Sequence, residues 1–266
     1  MAPGQTGCPP MSKAGRAAAR ERIRLERQRA ARRQRRNRAL LIVGGTLAVI
    51  VVAVVVIFAV HPGKSSPTTS VRGARYHGPF APATLNADHS VTVAQPGVRS
   101  PVLNVYEDFQ CPVCDVFEQA NGGVVQKLAA EGKVAVIYHP FIVFLGEQPQ
   151  QANSARAWAA ARCVPAARWQ QYHNLLYANQ PRETTAGGFP VSQLLAMGSR
   201  IGLTGPAFTR CVTSQRYAGQ AIAVSQQILK GGITSTPTVK LNGRAVSTSI
   251  LASPGAALQK MILAAH

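Results

Sequence analysis

Acidic side chains are scarce in this chain: ten Asp and Glu stand against 29 Lys and Arg, leaving a formal net charge of +19. No carboxylate pair is placed for hydrolysis, and there is no Ser–His–Asp arrangement or phosphate loop. The six histidines are scattered without the spacing of a zinc site, so neither a metal nor a cofactor is predicted. The positive excess suggests nucleic acid, yet no zinc-finger, RNP-like or recognition-helix pattern goes with it. More than half of the excess sits in residues 1–38, where 12 Lys and Arg face only Glu21 and Glu26. Nucleic acid is therefore not expected as a partner.

Long apolar runs are also rare; the chain has one. Ala39 to Val60 carries no charge over 22 residues, and as a helix it would reach about 33 Å, enough to cross a bilayer core. Arg33, Arg35, Arg36 and Arg38 stand directly before it and almost no charge follows until Lys64. The positive-inside rule then keeps residues 1–38 in the cytoplasm as a basic tail and puts 61–266 outside, a single-pass cell-membrane topology. The rival is a cleaved signal peptide, but the run is longer than such a segment needs and ends in a weak cleavage site, Phe58-Ala59-Val60-His61-Pro62. Residues 61–90, rich in Pro, Gly, Ser and Thr, read as an extracytoplasmic linker. The folded unit is expected over 91–266, with Ser90 to Val93 as a first edge strand.

Within that unit, Val102 to Tyr106 and Val134 to Tyr138 read as strands on either side of a helix from Cys111 to about Glu131, bent at Gly122-Gly123 and stopped by Gly132. This is a βαβ unit. From about 151 to 229 the pattern is helical, with Pro206 to Leu229 as one stretch after breaks at Gly202 and Gly205, and the sheet then resumes: Thr238 to Leu241 and Ala245-Val246 flank Asn242-Gly243, a hairpin signal. Pro254 to Ala265 reads as a terminal helix. The fold class is α/β with a large helical insert.

Cysteine is sparse, at five residues, which makes Cys111-Pro112-Val113-Cys114 informative. Two thiols one helical turn apart can close and reopen a disulfide, and a helix N-terminus favours the thiolate of the first. Cys111 is expected to be exposed and Cys114 more buried. Pro112 suits the first helical turn, and Val113 adds neither charge nor ring donor beside the thiol. Cys8 falls on the cytoplasmic side. Cys163 and Cys211 both lie in the insert, and in an oxidising compartment a bonded pair is the expectation; a second redox relay and two buried free thiols are the alternatives.

Glu107 to Cys114, followed after the insert by Gly232-Ile233-Thr234-Ser235-Thr236-Pro237-Thr238-Val239, resembles the DsbA-like branch of the thioredoxin superfamily in its membrane-anchored actinobacterial form. The resemblance covers about 91–266. It implies a thioredoxin fold with an inserted helical subdomain, Cys111 and Cys114 as the catalytic pair, and a cis peptide at Thr236-Pro237 beside them. Substrate contacts would come from Thr236, Pro112 and Val113, with His139 lining the groove. Many relatives keep an acid six positions before the first cysteine, where this chain has Val105. Glu107 is the nearest acid, either a proton relay for Cys114 or an exposed residue at the strand end. The implied activity is thiol–disulfide exchange, oxidising cysteine pairs of exported proteins, with a membrane redox partner that resets the dithiol. A tethered reductase or isomerase is the alternative in the same class, and a non-catalytic binding or chaperone module the alternative in another.

Overall fold

The structure, a computed structural model, describes residues 71–265. The basic tail, the apolar run 39–60 and the start of the linker lie outside the described residues. Among the described residues, no helix is long and apolar enough to cross a membrane.

A six-stranded mixed sheet organises the unit. Its strands are β1 (Ala83–Leu85), β2 (Val91–Val93), β3 (Val102–Glu107), β4 (Ala135–Pro140), β5 (Thr238–Leu241) and β6 (Arg244–Ala245), in the order β1-β2-β4-β3-β5-β6. β3 and β4 are parallel, with Val105 opposite Tyr138, and every other pair is antiparallel. The period-2 alternation of β3 buries Leu103, Val105 and Glu107 on one face and leaves Val102, Asn104 and Tyr106 half-buried on the other. The hairpin turns through Asn242 and Gly243, both at positive φ, as a two-residue turn of that composition requires.

The β3–β4 crossover starts with Cys111 in an extended N-cap conformation and Pro112 at the first helical position, where its missing N–H costs nothing. Helix α1 (Pro112–Phe117) runs through a π-helical turn (Glu118–Gly122) into α2 (Gly123–Ala130). Gly132, at φ 71°, ends it: its N–H bonds Ala129 and the Lys133 N–H bonds Leu128. The bend expected at Gly122-Gly123 is thus a π-turn that ends there. The insert consists of α3 (Gln150–Arg162), α4 (Ala166–Ala178), α5 (Val191–Arg200), α6 (Pro206–Thr213) and α7 (Ala218–Lys230). Two short helices, α8 (Thr248–Leu251) and α9 (Ala256–Leu263), close the chain. Together these elements form a thioredoxin fold with a helical subdomain between β4 and β5.

Three expectations need correction. The folded unit begins before residue 91: Val71 and Ala74 pack against the core, Ala81 is buried, and β1 lies within the segment read as linker. That segment is poor in apolar residues, and a three-residue strand is too short to show alternation. Val91–Val93 is accordingly an interior strand between β1 and β4, and β1 takes the edge. The helical stretch from Pro206 to Leu229 is two helices, broken at Ser214–Tyr217 where Gln215 takes positive φ.

Candidate active site

Cys111 and Cys114 are free thiols one turn apart at the start of α1. The Cys111 carbonyl accepts from the Cys114 and Asp115 N–H groups, and the Cys111 N–H donates to the Asp108 carbonyl. The Cys111 thiol is held below its ordinary range, chiefly by the hydrogen bond from the Cys114 thiol and, against its own burial, by the Thr236 side chain and the Cys114 N–H. Burial pushes the Cys114 thiol far up, and the bond to Cys111 and the Glu107 charge add to that. The pair therefore divides into one thiol ready to ionise and one that holds its proton.

Cys111 was expected to be exposed; it is only 5% exposed, against 1% for Cys114. The cover comes from the segment before β5, whose Thr236 carbonyl lies 3.5 Å from Cys111 Sγ. The Thr236–Pro237 peptide is cis. Pro112, Val113, Thr236 and Pro237 all keep partial exposure around the sulfur.

Below the pair, Glu107 is fully buried and not at an exposed strand end. Its Oε1 lies 2.9 Å from His173 Nε2, and its Oε2 accepts from the Tyr177 hydroxyl at 3.2 Å; both partners come from α4 of the insert. Burial alone would push His173 down, but Glu107 overcomes it and holds the imidazole at about 9. Glu118, from the π-turn, is pushed up to about 8 by burial, and its Oε1 is sealed without a partner. Glu107, Glu118 and His173 each bring one potential ligand atom to within 4.8 Å of the others. A metal there would have to displace protons from both His173 and Glu118. As arranged, the cluster stores protons at neutral pH, on His173 and on Glu118.

Three predicted residues are not gathered at the CPVC cysteines. His139 lies on the sheet face opposite Tyr138, stacked on Tyr106 at 4.3 Å with Nε2 2.9 Å from Asn104 Oδ1. Cys163 and Cys211 form a disulfide, S–S 2.07 Å, joining the end of α3 to α6 inside the insert. Sequence reasoning missed His173, Tyr177, Glu118 and Asp108. Asp108 is fully buried, accepts from Gln110 N–H, Val143 N–H and the Ser154 hydroxyl, and is nevertheless pushed up to about 6 by burial.

The comparisons agree with this geometry. A family model described as thioredoxin matches residues 99–261, and the chain belongs to that family. The structure is similar to the reduced form of the disulfide bond oxidoreductase DsbG from Mycobacterium tuberculosis, at 30% identity over 65% of this chain and 82% of that one, TM-score 0.55. Oxidised DsbA from the same organism is also 30% identical, over 70% of this chain and 92% of that one, TM-score 0.55. The thiol-disulfide oxidoreductase MdbA from Corynebacterium diphtheriae shares the fold at 19% identity, covering 70% of this chain and 95% of that one, TM-score 0.58. No curated protein sequence matches the chain. Fold, family and closely spaced cysteine pair together make this a thiol:disulfide oxidoreductase.

Proposed function

We propose that the protein oxidises cysteine pairs in exported proteins through its CPVC dithiol, anchored by residues 39–60 with residues 1–38 in the cytoplasm and the catalytic domain outside. The observation that carries the reading is the asymmetry of the pair, with Cys111 favouring the thiolate and Cys114 retaining its proton. The Cys163–Cys211 disulfide supports an oxidising compartment. The M. tuberculosis DsbA and DsbG similarities support the class of chemistry.

In the oxidised enzyme a substrate thiolate attacks Cys111 Sγ. The Cys111–Cys114 bond breaks, and its electron pair leaves on Cys114, which takes up a proton. A second substrate thiolate then attacks the substrate sulfur of the mixed disulfide, expelling Cys111 as a thiolate. The substrate loses two electrons and CPVC gains them. Glu107, with His173 and Glu118, is the proton store for Cys114. Thr236 offers its carbonyl side to an extended substrate, while Pro112 and Val113 border the sulfur. A membrane redox partner, most simply a quinone-linked one as the resemblance implies, resets the dithiol.

The test is the CPVC reduction potential, with trapping of mixed disulfides on Cys114→Ala in cells. A pair near the potential of strong oxidants, mostly oxidised in growing cells and trapping exported proteins, is expected. A pair below about −250 mV that is kept reduced in cells would make the protein a reductase or isomerase.

A further inference from the structure

The segment entering the folded unit does not pass straight from linker to sheet. The backbone of Arg72 is gripped at both ends by one side chain: its N–H donates to Asn179 Oδ1 at 2.6 Å, and its carbonyl accepts from Asn179 Nδ2 at 3.0 Å. Asn179 is buried and also donates to the Leu175 carbonyl, so its amide is locked to the end of α4. One residue earlier, the Val71 carbonyl accepts from Arg200 at 2.9 Å. Further on, the Tyr76 ring lies over Gly123, at the start of α2. Arg72 and Arg75 stand near enough to Asp115, in the first turn of α1, to work against its burial.

The next residue of the insert reaches the active site. Gln180 Nε2 donates to the Phe109 carbonyl at 2.9 Å and to the Cys111 carbonyl at 3.0 Å. In return, Gln110 Nε2 donates to the Pro181 carbonyl at 2.9 Å. A reciprocal amide clamp therefore fixes residues 109–111 from a segment some 70 positions away. It holds the carbonyl that also accepts from the Cys114 and Asp115 N–H groups in the first turn of α1, and with it the extended N-cap backbone of Cys111, φ −73° and ψ 119°. That conformation sets where the sulfur stands relative to the helix N–H groups.

We propose that residues 71–76 form a positioning strap for the exchanging cysteine, docked on Asn179 and linked through its neighbour Gln180 to the backbone of Cys111. Asn179 and Gln180 are positioning residues: neither side chain bonds the sulfur, and both act through the peptide that carries it.

The inference rests on Cys111 being the exchanging sulfur. Full-length protein, reduced, is alkylated with iodoacetamide from pH 4 to 9, and the labelled cysteine is located by peptide mass. Gln180→Met and Asn179→Ala are each expected to slow labelling of Cys111 at pH 7 by about two- to tenfold, the equivalent of one ordinary hydrogen bond, and to move its pH profile upward. Gln180→Glu, isosteric but unable to donate once ionised, is expected to shift it at least as far. The Asn179→Ala/Gln180→Met double variant should label no more slowly than Gln180→Met, because Asn179 acts through Gln180. A Cys111 profile that stays at wild type in the Asn179 variant, whatever its melting temperature, overturns the strap. If Asn179→Ala does not fold, Arg200→Gln at the surface decides by the same profile. Wild-type labelling at Cys114, or at neither cysteine, would instead overturn the reading of Cys111 itself, and the strap with it.

Discussion

His173 faces an oxygen acceptor at each ring nitrogen, Glu107 Oε1 at 2.9 Å and Asn174 Oδ1 at 3.2 Å, and only an imidazolium donates to both. A charged histidine with 1% exposure needs a counter-charge, which the Glu107 carboxylate supplies at 2.9 Å, and the field of that carboxylate opposes a second thiolate at Cys114. Glu107→Gln is therefore expected to bring Cys114 into reach of base. In a Cys111→Ser background, the pH profile of Cys114 alkylation should move toward lower pH; an unchanged profile removes Glu107 from the reaction. The residues legible in the sequence were those whose chemistry is local. Cys111 and Cys114 share one helical turn, and Thr236-Pro237 announces itself by its neighbours. Glu107 sits two positions from Val105 and shares its face, as strand periodicity allows. His173 and Tyr177 were not legible as partners of Glu107, because they lie 66 and 70 positions from it and only the tertiary fold brings them under the cysteines.

At the scale of elements, the π-turn between α1 and α2 determines where Glu118 goes. An extra residue in the turn rotates the helix face, and Gly122 leaves an empty place that the Glu118 carboxylate fills: a Cβ at Gly122 would strike Glu118 Oε2. The clash falls on the mobile end of a side chain, so Gly122→Ala is expected to fold with Glu118 swung out of the cluster. Carboxyl-carbon NMR should then show Glu118 leaving its value near 8 for the ordinary carboxylate range; a titration that stays near 8 would mean the glycine is not what seats it. The double glycine was readable as a bend, but a π-turn differs from a kink by one hydrogen-bond register, which no residue pattern encodes. The hairpin and the βαβ unit were readable because Asn-Gly and runs of Val and Ile are strong local signals. The strand at 83–85 was not: Pro79 and Pro82 marked its surroundings as linker, and its three residues are held by pairing with β2 rather than by their own propensity. Within the insert, the Cys163–Cys211 bridge spans 48 positions and removes about 4 kcal/mol of chain entropy from the unfolded state on a loop-closure basis.

For the molecule as a whole, the buried cluster ties folding to proton uptake. The folded state raises Glu118 from 4.5 to about 8, with burial as the leading cause, and His173 from 6.5 to about 9, with Glu107 overcoming burial. Both groups bind protons more tightly when folded than when unfolded. For each, the stability gained is complete below the unfolded value and is lost as pH rises through the folded one. Between pH 7 and 9 both losses run in the same direction, and together they amount to on the order of 3 kcal/mol. The Cys111 thiol, held below its ordinary range, works the other way in this window, because ionising it favours the folded state as pH rises. Cys111→Ser removes that opposing contribution. Urea unfolding of Cys111→Ser at pH 7, 8 and 9 is thus expected to give a falling midpoint at constant m-value, and Gly122→Ala in the same background a shallower fall. A midpoint that holds level or climbs across that range would mean that the Glu107–His173–Glu118 cluster carries no extra proton at neutral pH, and with it would go the proton source proposed for Cys114.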